Sequence, residues 1–211
     1  MKRFLSIVAV AIMTCGMIFA TGCSKAPKCK RALDSVLTAE SFTVSVDDDV
    51  VFKFTSDKMY LKDGYENGKF DAEYYFAYSE NGKNLAYSCD SNSVQWEKKV
   101  LSNEEYFDGA MWLGAGLGLD EDLIYELRGI SLNFGNITKQ VGDEYILKDT
   151  DLADDISKIW AEGDTFCFIF KGNGAGKNDM KVRVTDINKT KIIIPAEVTG
   201  GAKPVNNISL S

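Results

Sequence analysis

The spacing of apolar residues changes several times along this chain, and each change marks a different kind of element. From residue 4 to residue 20 nothing more polar than Ser6 and Thr14 interrupts an apolar run. From 28 to 39 the apolar positions Ala32, Leu33, Val36 and Leu37 recur at helical spacing on a charged background, which predicts an amphipathic helix of about three turns. The period then drops to two. Phe42, Val44 and Val46 alternate with Thr43 and Ser45, and Asp47-Asp48-Asp49 supplies a turn into a second strand over 50–55. Residues 59–62 read as a third strand, stopping at Asp63-Gly64. The most regular run is 70–79, with Phe70, Ala72, Tyr74, Phe76 and Tyr78 on one face. Asn81-Gly82 is a tight-turn signal leading into 84–89, and a short strand around 94–98 places Trp96 on a sheet face.

The middle of the chain is less regular. Residues 103–107 suggest a helical turn, and 109–119 mixes Met111, Trp112, Leu113, Leu117 and Leu119 with four glycines, a composition that specifies neither helix nor strand. Asp120 is placed to cap a short helix through Leu127, with Gly129 just past its end. Strands are predicted over 130–134, 137–141 and 144–148, and a short helix over 152–160. The clearest hairpin joins 165–171 to 180–185 through the glycine-rich 172–176. A last strand over 191–194 must end, or lie at an edge, at Pro195, which cannot donate to a ladder. Residues 200–211 have little to pack and are expected to form a loose tail.

The order of signals at the N-terminus has its own meaning. Lys2 and Arg3, the apolar run, then the small residues around Ala20-Thr21-Gly22 ahead of Cys23 have the layout of an export signal. With a cysteine directly after Thr-Gly, the segment resembles the lipobox of bacterial lipoproteins, although Ala20 stands where that motif more often has Leu. The resemblance implies cleavage before Cys23 and a diacylglycerol anchor on its sulfur. The alternatives are an uncleaved membrane helix near the short end of the spanning range and an ordinary secretory signal. The expected organisation is a signal at 1–22, a lipidated tether at 23–28, one domain at 29–199 and the tail at 200–211. The folded part would then sit on the extracytoplasmic face of the cell membrane or outer membrane.

Charge and composition narrow the chemistry. Loss of residues 1–22 takes Lys2 and Arg3 away and moves the formal net charge from −7 to −9, which argues against nucleic acid as a partner and against electrostatic binding to anionic head groups, leaving the lipid itself as the membrane contact. Histidine is absent, closing Ser-His-Asp and Cys-His catalysis and histidine-ligated zinc. Five cysteines become three once Cys15 and Cys23 are set aside. Cys29, Cys89 and Cys167 have no C-x-x-C spacing, and Cys89 and Cys167 read as buried thiols within strands. Gly172 to Lys177 imitates a phosphate loop, but its spacing is one residue short and a strand follows it. Asp149 to Asp155 imitates a calcium loop, yet Ala153 and Trp160 occupy ligand positions. No catalytic residue, metal or cofactor is expected, and the chain does not read as an enzyme.

An export signal, one amphipathic helix and then many antiparallel strands with a helical insertion lead to the ending Val182-Arg-Val-Thr-Asp-Ile-Asn-Lys-Thr-Lys-Ile-Ile-Ile-Pro195. In that order and that ending the mature chain resembles the LolA-like carrier superfamily, including LppX-type lipoproteins. The resemblance implies an α+β fold: a strongly curved antiparallel sheet, a half-open barrel whose concave face is covered by the N-terminal helix and a short helical insertion. It also implies a lipid or other hydrophobic small molecule as ligand, with Phe52, Phe54, Tyr74, Phe76, Trp96, Trp112 and Phe168 as the aromatic candidates for a cavity lining. The competing reading makes those residues plain core. In another class, an accessory lipoprotein would present Trp112 and its neighbours to an envelope protein.

Overall fold

The computed structural model of the chain describes residues 26–47, 49–66, 69–78, 83–90, 95–106, 108–109, 121–148, 155–171 and 179–206. The predicted signal at 1–22, Cys23 and Trp112 lie outside them. The described residues form twelve strands and three helices of six or more residues. In chain order these are α1 (Lys28–Leu37), β1 (Phe42–Val46), β2 (Val50–Phe54), β3 (Lys58–Glu66), β4 (Lys69–Ala77), β5 (Asn84–Asp90) and β6 (Glu97–Leu101). Then follow α2 (Glu121–Ile137), β7 (Thr138–Val141), β8 (Glu144–Leu147), β9 (Ile156–Glu162), β10 (Thr165–Phe170), β11 (Met180–Thr185), α3 (Ala196–Gly201) and β12 (Lys203–Pro204).

All twelve strands belong to one sheet, in the order β12-β6-β5-β4-β3-β2-β1-β11-β10-β9-β8-β7. The sheet is curved and does not close, and every neighbouring pair is antiparallel except β6 with β12. The fold class is α+β. The centre is the pairing of β1 with β11, which joins a meander of β1 to β6 to a second one of β7 to β11. Alternation decides the faces. Val44, Phe52, Leu61 and Tyr74 lie side by side across four strands, and Phe54, Met59, Phe76 and Ala86 form the adjacent row. On the other side Val44 continues to Val184 and Phe166. These residues make the main core with Leu33 of α1 and with Leu123, Leu127, Ile130, Phe134 and Ile137 of α2.

Four predicted elements differ from the structure. Residues 130–134 are not a strand, because α2 runs on through Gly129 to Ile137. The steps 123, 127, 130, 134 and 137 are a helical stripe and are all buried, whereas Leu132, needed inside by the strand reading, is exposed. Residues 156–162 form β9 rather than part of a helix. There Ile156 and Ile159 both face the core although three residues apart, because the register with β10 shifts between Ile169 and Phe170, and that bulge imitates helical spacing. β3 continues past Asp63 to Glu66, with Gly64 taking a left-handed φ of 67° that its lack of Cβ permits. Residues 191–194 form no strand, and Pro195 caps α3 instead of ending one.

The C-terminal segment is also less loose than its composition suggests. Residues 190–206 cross the face opposite the main core, where Ile192, Ile194, Val198 and Ala202 cover Tyr60, Tyr75, Leu85, Tyr87 and Trp96. Lys203 N–H then donates to Trp96 O and Val205 N–H to Lys98 O, each at 2.9 Å. The predicted tail beyond residue 206 lies outside the described residues.

Candidate functional site

The helix-covered face of the sheet brings together five of the seven aromatic candidates. Phe52, Tyr74, Phe76 and Phe168 are buried in the main core cluster, and Phe54 packs half-buried against it, its ring stacked on Phe42 at 5.5 Å. Trp96 does not join them: it precedes β6 on the opposite face, with its ring centroid 5.6 Å from that of Tyr75. Trp112, like the anchor candidate Cys23, falls outside the described residues.

Two different covers lie over this face. Over β9 and β10 sits α1, packed in turn against α2. Leu33 is fully buried there, and the two helices are fastened by polar groups: Lys30 Nζ donates to Asp34 at 2.8 Å, and the buried Ser131 hydroxyl of α2 donates to the same carboxylate. Over β4 the cover is the segment after β6. Ser102 Oγ accepts the Glu105 N–H at 3.2 Å while Glu105 Oε2 accepts the Ser102 N–H at 2.8 Å, a reciprocal cap on the helical turn at 103–106. Lys99 Nζ also reaches Glu105 at 2.7 Å, and hydrogen bonding to Lys99 and Ser102 holds that carboxyl down at about 2. Asn84, completely buried in β5, donates to Asn103 Oδ1 at 2.9 Å and pins the start of the turn.

The capped turn delivers Tyr106 onto the aromatic rows. Its ring is 6.3 Å from Phe76, edge-on, and 5.5 Å from Tyr78. Burial pushes its hydroxyl above the ordinary range. Three residues on, Gly109 comes so close that a Cβ would stand 2.8 Å from Phe76 Cε1. Sequence reasoning missed Tyr106, although Ser102-x-x-Glu105 is a capping-box spacing that points to the turn carrying it.

The remaining chemistry is quiet. Cys29, Cys89 and Cys167 are free and buried; burial pushes Cys29 up to about 12 and Cys167 to about 11, so both stay protonated at neutral pH. Glu126, buried in α2, accepts the N–H groups of Asp155 at 3.0 Å and Ile156 at 2.9 Å and so holds the start of β9. Among the described residues no three His, Cys, Asp or Glu side chains gather as a metal site, and no helix is long and apolar enough to cross a membrane. The described helix-covered face thus offers an aromatic and aliphatic surface, with half-buried Phe42, Phe54 and Tyr78 packed against it. No known family model matches the chain, and no curated protein matches it as a relative.

Proposed function

We propose that this protein is a lipoprotein of the extracytoplasmic membrane surface, held by acyl chains on Cys23, that binds the acyl part of a lipid or similar amphiphile on its concave face. The unclosed, helix-covered sheet is compatible with a LolA-like half-barrel. The observation that carries the reading is the contact of Gly109 with Phe76. The capped turn rests on an aromatic row through this glycine, and the sequence that follows combines glycines with Met111, Trp112, Leu113, Leu117 and Leu119, a composition with apolar side chains to bury. Such a cover suits a flap that exchanges its own apolar side chains for those of a ligand.

The chain from Ser24 onward, purified without detergent, should carry a lipid detectable by native mass spectrometry. With Trp96 and Trp160 replaced by Phe, titration with a long-chain fatty acid should change the emission of Trp112 saturably. Gly109→Ala should weaken that binding roughly tenfold, equivalent to about 1.4 kcal/mol. In cells, Cys23→Ala should leave unprocessed precursor. Absence of both bound lipid and a saturable emission change would leave these aromatics as filled core. An accessory lipoprotein would then be the better reading.

A further inference from the structure

In the middle of α2 stands a cation that no group of the chain answers. Arg128 Nε is buried without a hydrogen-bond partner, and among the described residues no carboxylate forms an ion pair with its guanidinium. The acids around it are engaged elsewhere. Glu126, two positions back and so on another side of the helix, accepts the N–H groups of Asp155 at 3.0 Å and Ile156 at 2.9 Å. Asp34 of α1 is held by Lys30 at 2.8 Å and by the hydroxyl of Ser131, one turn further along α2. A buried donor on a charged group gives up its hydration and gains nothing unless an acceptor arrives from outside the chain. On a helix surface the neighbours of Arg128 are the residues three and four positions away. One turn before it are half-buried Ile124 and Tyr125, which is 71 % exposed; one turn after it are buried Ser131 and Leu132, which is 69 % exposed. Leu127 and Ile130, on either side along the chain, are buried in the main core. Arg128, itself half-buried, therefore stands where the helix-covered face meets solvent, among apolar side chains.

We infer that Arg128 holds the head group of an anionic amphiphile, a carboxylate or a phosphate, by donating from Nε and the adjacent Nη to two oxygens of one anion. The inference rests on the acyl-binding reading above and adds the charge of the ligand to it. A guanidinium presents that pair of parallel donors in a fixed fork, which suits one carboxylate or one phosphate group. Exposed Tyr125 and Leu132 on either side shield such a pair from water, and Leu127 and Ile130 beside it give an attached chain apolar surface to follow toward the sheet. A polyanion would need several free cations together, whereas Lys30, which approaches Ser131 at 3.4 Å from α1, is committed to Asp34. In a chain of net charge −7 the rest of the surface repels an anion, so a single unpaired arginine also decides where the head group stays.

The test uses the whole protein in a non-ionic detergent at neutral pH and three probes that share one chain and differ in the head: palmitic acid, hexadecyl phosphate and hexadecanol. Native mass spectrometry at increasing probe concentration should show saturable binding of the two anions, with hexadecanol bound at least roughly tenfold more weakly. Whichever anion binds more tightly identifies the head group as carboxylate or phosphate. Arg128→Gln should bring both anions to the level of hexadecanol and leave hexadecanol unchanged, and Arg128→Lys, which keeps the charge but not the fork, should restore part of the difference. Hexadecanol bound by the parent as tightly as the anions overturns the role of Arg128 and leaves acyl binding standing, and that comparison needs no variant. Anions bound equally by the parent and by a folded Arg128→Gln protein have the same meaning. Failure of all three probes to bind overturns both readings.

Discussion

At Gly109 a missing methyl group sets how closely the cover approaches the sheet. With Phe76 almost fully buried, its ring has nowhere to move when a Cβ arrives at 2.8 Å. Glu126 is the other residue whose environment has a measurable consequence. Burial raises its pKa above the ordinary 4.5, and the N–H bonds from Ile156 and Asp155 offset only part of the effect. The folded protein therefore holds this proton more tightly than the unfolded chain. The contribution of Glu126 to stability is complete below about 4.5 and is lost as pH rises through the raised value. Glu126→Gln keeps an oxygen for both N–H groups and cannot ionise. Its stability relative to the parent should improve from pH 4.5 upward and level off once the parent carboxyl is ionised. Urea unfolding from mildly acidic to neutral pH measures this, and a difference that stays flat with pH contradicts it.

At the scale of elements, α1 makes the sharpest prediction. Leu33 is fully buried between the sheet and α2, whereas Val36, one turn on, is half-buried. Leu33→Ala should cost about 2–5 kcal/mol, and Val36→Ala clearly less. Equal costs in thermal or urea unfolding would mean that α1 sits differently. This helix was legible because its apolar stripe has one period throughout, and β1, β2, β4 and β5 were legible because their faces alternate without bulges. The elements misread share a physical cause. In α2, Ile130-Ser131-Leu132-Asn133-Phe134 satisfies period two locally, and only the longer series from Leu123 to Ile137 shows that Leu132 is the residue out of step. In β9 the bulge spaces Ile156 and Ile159 as a helix would. A short window cannot separate these cases, since the deciding partner strand or helix is distant in sequence. The site was partly legible for the same reason. Phe52, Phe54, Tyr74, Phe76 and Phe168 share one face of the sheet, whereas Trp96 precedes a strand that starts later than its sequence suggests and takes the opposite face.

At the scale of the whole molecule, a single open sheet has two faces to cover and two edges to protect. The edges end in short strands, β7 of four residues and β12 of two, which limits what another chain could pair with. One face has α1, α2 and the capped turn. The other face is polar over β9 to β11, where Trp160 is shielded by Lys158 and Lys181 at 5.5 and 5.4 Å, and Arg183 pairs with Glu162 at 3.1 Å. Over β3 to β6 it is not polar: Tyr60, Tyr75, Tyr87 and Trp96 would stand in water without residues 190–206. That strap is held at its start by the Thr43–Thr190 hydroxyl pair at 3.1 Å and at its end by the β12 ladder, with the fully buried Val198 between them. Val198→Asp places an unpaired carboxylate against the tyrosines and should release the strap while leaving the main core intact. The expected signature is increased binding of a hydrophobic dye and new protease cleavage between residues 186 and 206, with the far-ultraviolet circular dichroism of the sheet retained. A variant that melts, binds dye and resists protease like the parent would mean that the strap is not what covers this face. One that loses all its strand signal would make the strap part of the central folding unit rather than a late cover.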